Sequence, residues 1–208
     1  MLKKNQSIVG ILLAAGAGKR YIHSGASGNK LFEPITRTNG VREPMVEAVL
    51  NDITAVFNQV VIVTRQAYQS EIESLKAYTK KAPGCSHRIL IHPQPELGMG
   101  TSIALGVANS RDADAWVVCL ADMPYIEVLV YQQVYGSLLN GNDLVAPSYH
   151  GQRGHPVGFG KKFESALMGL DGDQGARSLL QQKHGTIDLI ETECEGVLRD
   201  VDTVVDRV

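Results

Sequence analysis

The segment Ile8–Arg20, which reads IVGILLAAGAGKR, decides how the rest of the chain is interpreted. It begins with an apolar run, continues through small residues with glycine at positions 16 and 18, and ends in two cations, Lys19 and Arg20. An apolar run bounded by glycine predicts a buried strand. Small residues after the strand let the backbone turn close to a ligand, and the amides of such a turn favour anions. We therefore expect a phosphate-binding loop on the first strand of an α/β sheet. A tight turn without a ligand is the alternative.

This glycine loop matches neither of two common nucleotide-binding patterns. It lacks the GxxxxGK[ST] spacing of a P-loop. Gly16 and Gly18 fit the first two positions of GxGxxG, but Tyr21 stands at the third. The loop thus predicts anion binding without identifying either of those folds.

Composition places the chain among ordinary globular proteins. Its 208 residues are 44% hydrophobic and 20% charged, with a formal net charge of -2, which predicts neither a nucleic-acid partner nor a membrane surface. The three widely spaced cysteines, Cys85, Cys119 and Cys194, are expected to be reduced in a cytoplasmic protein. The first apolar run is too short to span a membrane, and we expect no signal peptide.

Strands and helices alternate through the first two-thirds of the chain. Apolar runs predict strands at 60–64, 88–91, 115–120 and 143–147, and helical spacing predicts helices at 44–57, 66–78, 102–109 and 126–139. Residues 31–35 are expected to be extended. Further on we expect a hairpin-like turn at 149–156, helices at 161–169 and 177–182, a strand at 186–190 and a terminal helix at 198–203. This order predicts a three-layer α/β/α, Rossmann-like fold with a mostly parallel mixed sheet, in one domain covering residues 1–208.

In such folds ligands bind beyond the carboxyl ends of the strands. The glycine loop, the segment Gly98–Ser102 and the segment Asp122–Pro124 should therefore share one crevice. Asp122 follows an apolar strand, where a carboxylate suits Mg²⁺, which takes one or two carboxylates together with substrate phosphates. Alternatively, Asp122 caps the helix that follows Pro124.

Other charged residues allow two interpretations each. Asp200 and Asp202 would share one face of a strand and bind metal or substrate, or they belong with Asp206 to a solvated acidic tail. The cations Lys19, Arg20 and Lys30 either compensate a triphosphate or lie on the surface.

The second half of the chain carries a histidine turn and a helix start. His155 is either an acid/base or anion ligand, or a structural turn histidine. Asp173 is expected to cap the helix that carries Arg177, and either residue would also suit the substrate side of the crevice. The remaining histidines lack metal-ligand spacing and are treated as surface or structural residues: His23, His87, His92, His150 and His184.

Together the motifs resemble those of MobA-like NTP transferases. Leu13-Ala14-Ala15-Gly16-x-Gly18-x-Arg20, followed by Lys30 and Leu31–Ile35, is similar to the signature of nucleotidyltransferases with a glycosyltransferase-A-like fold. Five further motifs narrow the resemblance to the molybdenum cofactor cytidylyltransferase branch: Gly98–Ser102, Leu120–Pro124, Gly151-x-x-Gly154-His155-Pro156, Gly172–Arg177 and Asp200–Thr203. The resemblance extends from about residue 8 to residue 206.

The resemblance implies a Mg²⁺-dependent enzyme that transfers CMP from CTP to the phosphate of molybdopterin and releases pyrophosphate. Residues 1–125 would form the nucleotide half and residues 126–208 the acceptor half. In this resemblance Arg20, Lys30 and Asp122 are catalytic, and Asp122 with Asp202 binds the metal. The nucleotide contacts would be Leu13, Ala14, Ala15, Gly16, Gly18, Lys19, Arg20, Lys30, Gly100, Thr101 and Ser102. The acceptor contacts would be Gly154, His155, Asp173 and Arg177.

Two departures from the family pattern keep alternatives open. An insertion containing Gly25 and Gly28 separates Arg20 from Lys30, and Val204 stands where the family usually has proline. The alternatives are a same-fold enzyme that uses GTP or another phosphorylated acceptor, such as a sugar phosphate, and a non-catalytic cofactor-binding chaperone. A molybdoenzyme or its chaperone is a candidate partner.

Overall fold

The computed structural model describes residues 6–23, 29–37, 40–66, 74–75, 84–182, 186–203 and 206. The side chains of Lys19 and Arg20 are not part of this description. The helix expected at 66–78 falls almost entirely outside the described residues.

The centre of the molecule is a mixed sheet of mostly parallel strands. Its strands are β1 (Ile8–Leu13), β4 (Gln59–Arg65), β5 (Ser86–His92), β6 (Ala115–Leu120), β7 (Leu144–Tyr149), β9 (Val157–Gly160) and β10 (Asp188–Glu191). They lie in the order β10-β7-β9-β6-β1-β4-β5, and β8 (Gln152–Arg153) pairs with β7. The β1 strand is parallel to both neighbours, whereas β9 is antiparallel to β6 and β7. A separate hairpin joins β2 (Pro34–Thr36) to β3 (Arg42–Pro44).

The helices cover both faces of the sheet. They are α1 (Lys19–His23), α2 (Met45–Thr54), α3 (Met99–Ala108), α4 (Val128–Leu139), α5 (Glu164–Met168) and α6 (Arg177–Gln182). Because successive strand residues point to opposite faces, Ile8 and Leu12 join one core cluster with α2 and α4. Val9 and Ile11 join the other cluster, with α3, α5 and α6. The expected three-layer α/β/α arrangement is confirmed.

Two expectations in the first half of the chain are wrong in detail. The start of the segment 31–35 is not extended: Lys30–Phe32 form a 3₁₀ turn, because the Asn29 side chain accepts a hydrogen bond from the Leu31 amide at 3.1 Å. The helix expected at 102 begins earlier, at Met99, because Gly98 turns the chain with a φ of 104°. Thr101, in the first turn of this helix, donates its hydroxyl to the Gly98 carbonyl at 2.9 Å.

The expectations for the end of the chain are also wrong. Residues 198–203 form neither a helix nor a strand; a 3₁₀ turn covers Glu195–Leu198 and irregular backbone follows. The Val201 amide donates to the Asp122 carbonyl at 2.8 Å, so a distant segment satisfies this backbone group. Asp200 and Asp202 are therefore placed by contact with the loop after β6 and not by strand alternation.

Among the helices of the described ranges, none combines the length and the apolar character needed to cross a bilayer.

Candidate nucleotide and metal site

A cavity of about 470 Å³ lies at the carboxyl ends of the parallel strands β6, β1, β4 and β5. Each of these strands sends the loop or residue that follows it into the wall, as expected for an open α/β sheet. The cavity is lined by Leu13, Ala14, Ala15, Gly16, Ala17, Gly18, Lys30, Leu31, Arg65, Pro95, Glu96, Gly98, Met99, Ser102, Asp122 and Asp173. The three segments expected to meet in one crevice therefore do meet.

The glycine loop is held in place by an extension of the strand ladder. The Ala14 amide donates to the Val63 carbonyl at 2.8 Å, and the Ala121 amide donates to the Leu13 carbonyl at 3.1 Å. Ala14 and Ala15 are 3% and 6% exposed, so only small side chains separate this backbone from the cavity. Gly18 turns with a φ of 59° directly before α1. The backbone here is fixed where it approaches a ligand site.

Lys30 lies between the two carboxylates that were expected to bind metal. Its Nζ is 2.8 Å from Asp122 Oδ2 and 3.4 Å from Asp202 Oδ1, and it donates to the Val201 carbonyl at 3.0 Å. Burial lowers the pKa of Lys30, but the two carboxylates outweigh burial and hold the pKa above its usual value. Lys30 is therefore a fixed positive charge that is only 8% exposed.

Asp122 is not a helix cap, and Asp206 is not part of a solvated acidic tail. Asp122 does not cap the next helix, because α4 begins at Val128 with Glu127 at its N-cap position. Asp206 Oδ2 accepts from the Asp202 and Thr203 amides at 3.1 and 2.6 Å and from the Thr203 hydroxyl at 2.7 Å. The acidic residues near the end of the chain are thus ordered, with Asp206 closing a turn that presents Asp202.

The donor set around Lys30 Nζ fits a hard divalent cation. Two carboxylates and one carbonyl converge on a single point, and oxygen is the ligand that Mg²⁺ and Mn²⁺ prefer. In the part of the chain that the structure describes, no group of three or more His, Cys, Asp or Glu residues could hold a metal. An ion here would therefore complete its coordination with water or phosphate.

His155 lies beside the 3₁₀ turn Glu195–Leu198, outside the cavity lining. Its amide donates to the Val197 carbonyl at 2.9 Å, and a Cβ on Gly154 would collide with the same carbonyl. Burial lowers the pKa of His155 to about 4, opposed by Asp122 and reinforced by Arg153. His155 Nδ1 is buried and has no hydrogen-bond partner among the described residues. The ring is thus neutral at neutral pH and carries no charge for an anion.

Asp173 lines the cavity, whereas Arg177 is not part of its lining. Asp173 lines the cavity because its loop packs on the Gly98 segment, where the Gly100 amide donates to the Gly172 carbonyl at 2.9 Å. Asp173 caps no helix by a hydrogen bond within the described residues; the Arg177 amide bonds instead to the Gln174 carbonyl at 3.0 Å. Arg177 begins α6 and is exposed.

Two charged residues of the wall were missed by the sequence analysis. Arg65, at the carboxyl end of β4, is half-buried and lines the cavity, as does the exposed Glu96 after β5. The signal available for Arg65 in the sequence was a cation that directly follows a buried apolar strand. Lys19 and Arg20 remain predictions, because their side chains are not described.

A three-layer α/β/α sheet with a cavity at its carboxyl edge, lined by a small-residue loop and an aspartate, defines a Rossmann-like nucleotidyltransferase. The chain belongs to the MobA-like NTP transferase family, whose domain matches residues 10–187.

Two relatives with similar identity to this chain have names that refer to different functions. Nicotine blue oxidoreductase from Paenarthrobacter nicotinovorans is 30% identical over 205 residues, covering 95% of this chain and 93% of the relative. The purine catabolism protein PucB of Bacillus subtilis is 29% identical, covering 94% and 92%.

Solved structures share the fold at lower identity. A nucleotidyl transferase from Methanothermobacter has a TM-score of 0.77 at 19% identity, covering 98% of this chain and 94% of that one. Rv0371c from Mycobacterium tuberculosis has a TM-score of 0.75 at 21% identity, covering 98% and 96%. A complex of Rv0371c with manganese has also been solved; it has a TM-score of 0.71 at 20% identity and covers 97% and 96%.

Proposed function

We propose that this protein transfers CMP from CTP to the phosphate of a molybdopterin-type acceptor, with Mg²⁺, and releases pyrophosphate. The observation that carries the proposal is the cavity in which the glycine loop faces Lys30 and Asp122, with Asp202 bound to the same ammonium. The resemblance of Ala14-Ala15 to the cytidine-specific form of the family motif supports CTP.

The proposed reaction is an in-line displacement. An oxygen of the acceptor phosphate forms a bond to the α-phosphorus of CTP, and the bond between that phosphorus and the bridging oxygen breaks. The electron pair leaves with pyrophosphate. Such a reaction requires positioning and charge stabilisation more than a covalent catalyst.

The chain supplies these two requirements. The Gly16–Gly18 turn lines the cavity and would lie against the phosphates, and Arg20 and Lys30 would provide positive charge for the triphosphate. Asp122 and Asp202 would hold Mg²⁺, which neutralises phosphate charge when bound. The thiols are poor nucleophiles, because burial raises the pKa of Cys85 to about 11 and raises that of Cys119 further.

A second candidate is the same transfer to a different phosphorylated acceptor, such as a sugar phosphate. The departures of this chain from the family pattern, the insertion between Arg20 and Lys30 and Val204 in place of proline, support a different acceptor. The names of the relatives also point to different chemistry in different members of the family.

The test is pyrophosphate release with CTP, GTP or ATP and Mg²⁺, each with and without molybdopterin. We expect release with CTP that depends on the acceptor. Higher activity with GTP would contradict the role of Ala14 and Ala15, and activity with sugar phosphates alone would support the second candidate. Cofactor binding without turnover would identify a chaperone. Oxidation or reduction of nicotine blue, without pyrophosphate release, would overturn nucleotidyl transfer.

A further inference from the structure

A buried histidine lies directly behind the loop that lines the cavity. His92 is the last residue of β5 and is 5% exposed. It does not line the cavity, although its neighbour across the parallel ladder, Arg65, does. The sequence predicts only a surface or structural role for His92, but the hydrogen bonds of its ring connect it to the site.

The partners of the His92 ring determine its tautomer. The Gln94 amide donates to Nδ1 at 3.0 Å, so Nδ1 carries no proton. The Thr101 hydroxyl donates its single proton to the Gly98 carbonyl at 2.9 Å. The 3.0 Å contact between Nε2 and Thr101 Oγ1 must then have Nε2 as the donor. Both nitrogens of the ring are engaged by protein groups, so the ring is not available as an acid, a base or a metal ligand.

The hydrogen bonds of His92 end on the backbone that forms the wall of the cavity. Gly98 adopts a φ of 104°, a conformation that side chains rarely allow, and lines the cavity with Met99 and Ser102. On its other side a Cβ at Gly98 would collide with Gly172, so the loop has no room to shift in that direction. The position of the Gly98–Ser102 loop is thus set by packing on one side and by Thr101 and His92 on the other.

We propose that His92 is a positioning residue for nucleotide binding, acting through the Thr101 hydroxyl on the Gly98–Ser102 loop. The ligand is the nucleoside portion of a nucleoside triphosphate, so the inference rests on the proposed function. A correctly placed loop contributes binding in the ground state and in the transition state alike. Loss of the chain of hydrogen bonds therefore raises KM and leaves kcat little changed.

The test compares substitutions that remove a hydrogen bond with substitutions that retain it. His92→Leu and Thr101→Val remove it, whereas Thr101→Ser keeps the hydroxyl and His92→Gln keeps a donor directed toward Thr101. A buried hydrogen bond contributes only a modest free energy, which corresponds to a change of at most about tenfold in an equilibrium constant. We therefore expect His92→Leu and Thr101→Val to raise the Kd and KM for CTP about 3- to 10-fold. The double variant should lose no more than either single one, because both act on the same chain of bonds.

Ser110 provides a matched control at the other end of α3. Its buried hydroxyl donates to the Gly106 carbonyl at 2.8 Å and accepts from Trp116 Nε1 at 3.0 Å. Ser110→Ala should lower the Tm as much as Thr101→Val does but leave the Kd for CTP unchanged. If Ser110→Ala raised the Kd for CTP as much as Thr101→Val does, the effect would be general destabilisation, and the inference would be overturned.

Amide hydrogen exchange separates this inference from the proposed function. We expect faster exchange at residues 98–102 in Thr101→Val than in the unsubstituted protein, with no such change in Ser110→Ala. Unchanged exchange and unchanged Kd in Thr101→Val would refute the positioning role, even where His92→Leu fails to fold. An unsubstituted protein that binds no CTP, GTP or ATP would refute the proposed function instead.

Discussion

Replacing Lys30 with methionine tests the arrangement at the centre of the site. The substitution keeps the length and apolar stem of the side chain but removes the ammonium from Asp122 and Asp202, at 2.8 and 3.4 Å. An ion bound by these carboxylates would occupy the same space as Nζ. Lys30 and the metal should therefore compete, and the variant should bind metal more tightly than the unsubstituted protein does.

The distances set the size of this effect. Even at the dielectric constant of water, Coulomb's law gives each contact about 1.2–1.5 kcal/mol. Since 1.4 kcal/mol corresponds to a tenfold change, removing both attractions should strengthen Mn²⁺ binding roughly 10- to 100-fold. The variant should also unfold more easily, by about 1–3 kcal/mol, because both carboxylates lose the ammonium while being 29% and 28% exposed and only partly desolvated.

The assay is a titration of free Mn²⁺ by electron paramagnetic resonance in the absence of nucleotide, combined with pyrophosphate release. Turnover should fall at least 100-fold, because the same ammonium is assigned to the triphosphate. Lys162→Met is the matched control: it removes an ammonium 2.6 Å from Asp143 but outside the cavity. Folded Lys30→Met protein with unchanged or weaker Mn²⁺ binding would refute competition for one site.

Four further outcomes are expected. Asp122→Ala should abolish turnover and leave circular dichroism unchanged; retained activity would exclude it as a metal ligand. Arg20→Ala should raise the Kd for CTP, and an unchanged Kd in calorimetry would remove its assigned role. Arg65→Ala should raise the KM for CTP about tenfold without slowing kcat, as expected for a cation in the cavity wall; an unchanged KM would place its charge outside the nucleotide contact. The pKa of His155 is about 4 in the folded protein, below its ordinary value of 6.5, so the unfolded chain binds more protons in this range. The free energy of unfolding should therefore decrease as the pH is lowered from about 6.5 to about 4. His155→Gln should flatten that slope in chemical denaturation by up to about 3 kcal/mol, and an unchanged slope would show that the ring is not buried in its neutral form.

Most of the regular structure was predictable, because strands and helices follow from local periodicity. The predicted strand 115–120 matches β6 exactly in its bounds, and the strands at 60–64 and 88–91 fall within β4 and β5. Two predictions failed for local reasons, the Asn29 side chain and the positive φ of Gly98, and one failed because of a backbone hydrogen bond from another part of the chain. The last case is the terminal helix, since Val201 bonds to Asp122 and not to its own turn.

The position of β9 could not be predicted in the same way. This strand inserts antiparallel between β6 and β7, although the sequence offers only a short apolar stretch after a polar turn. Its place depends on close packing: Gly158 lies against Leu138 and Val134 of α4, where a Cβ would collide. Such a contact is a property of two surfaces and leaves no periodic signal in either segment.

The sequence by itself determined the α/β class, the glycine loop after β1 and the edge of the sheet at which the site lies, because hydrophobic period and glycine content act locally. Only the tertiary structure decided which charges meet there. Lys30 lies 92 residues from Asp122 and 171 from Val201 along the chain, yet one buried ammonium is bonded to both. The same holds for His92, whose ring reaches the cavity wall through Thr101. These pairings form because polar groups that become buried as the layers pack must be hydrogen-bonded. The groups come close enough to pair only in the folded chain.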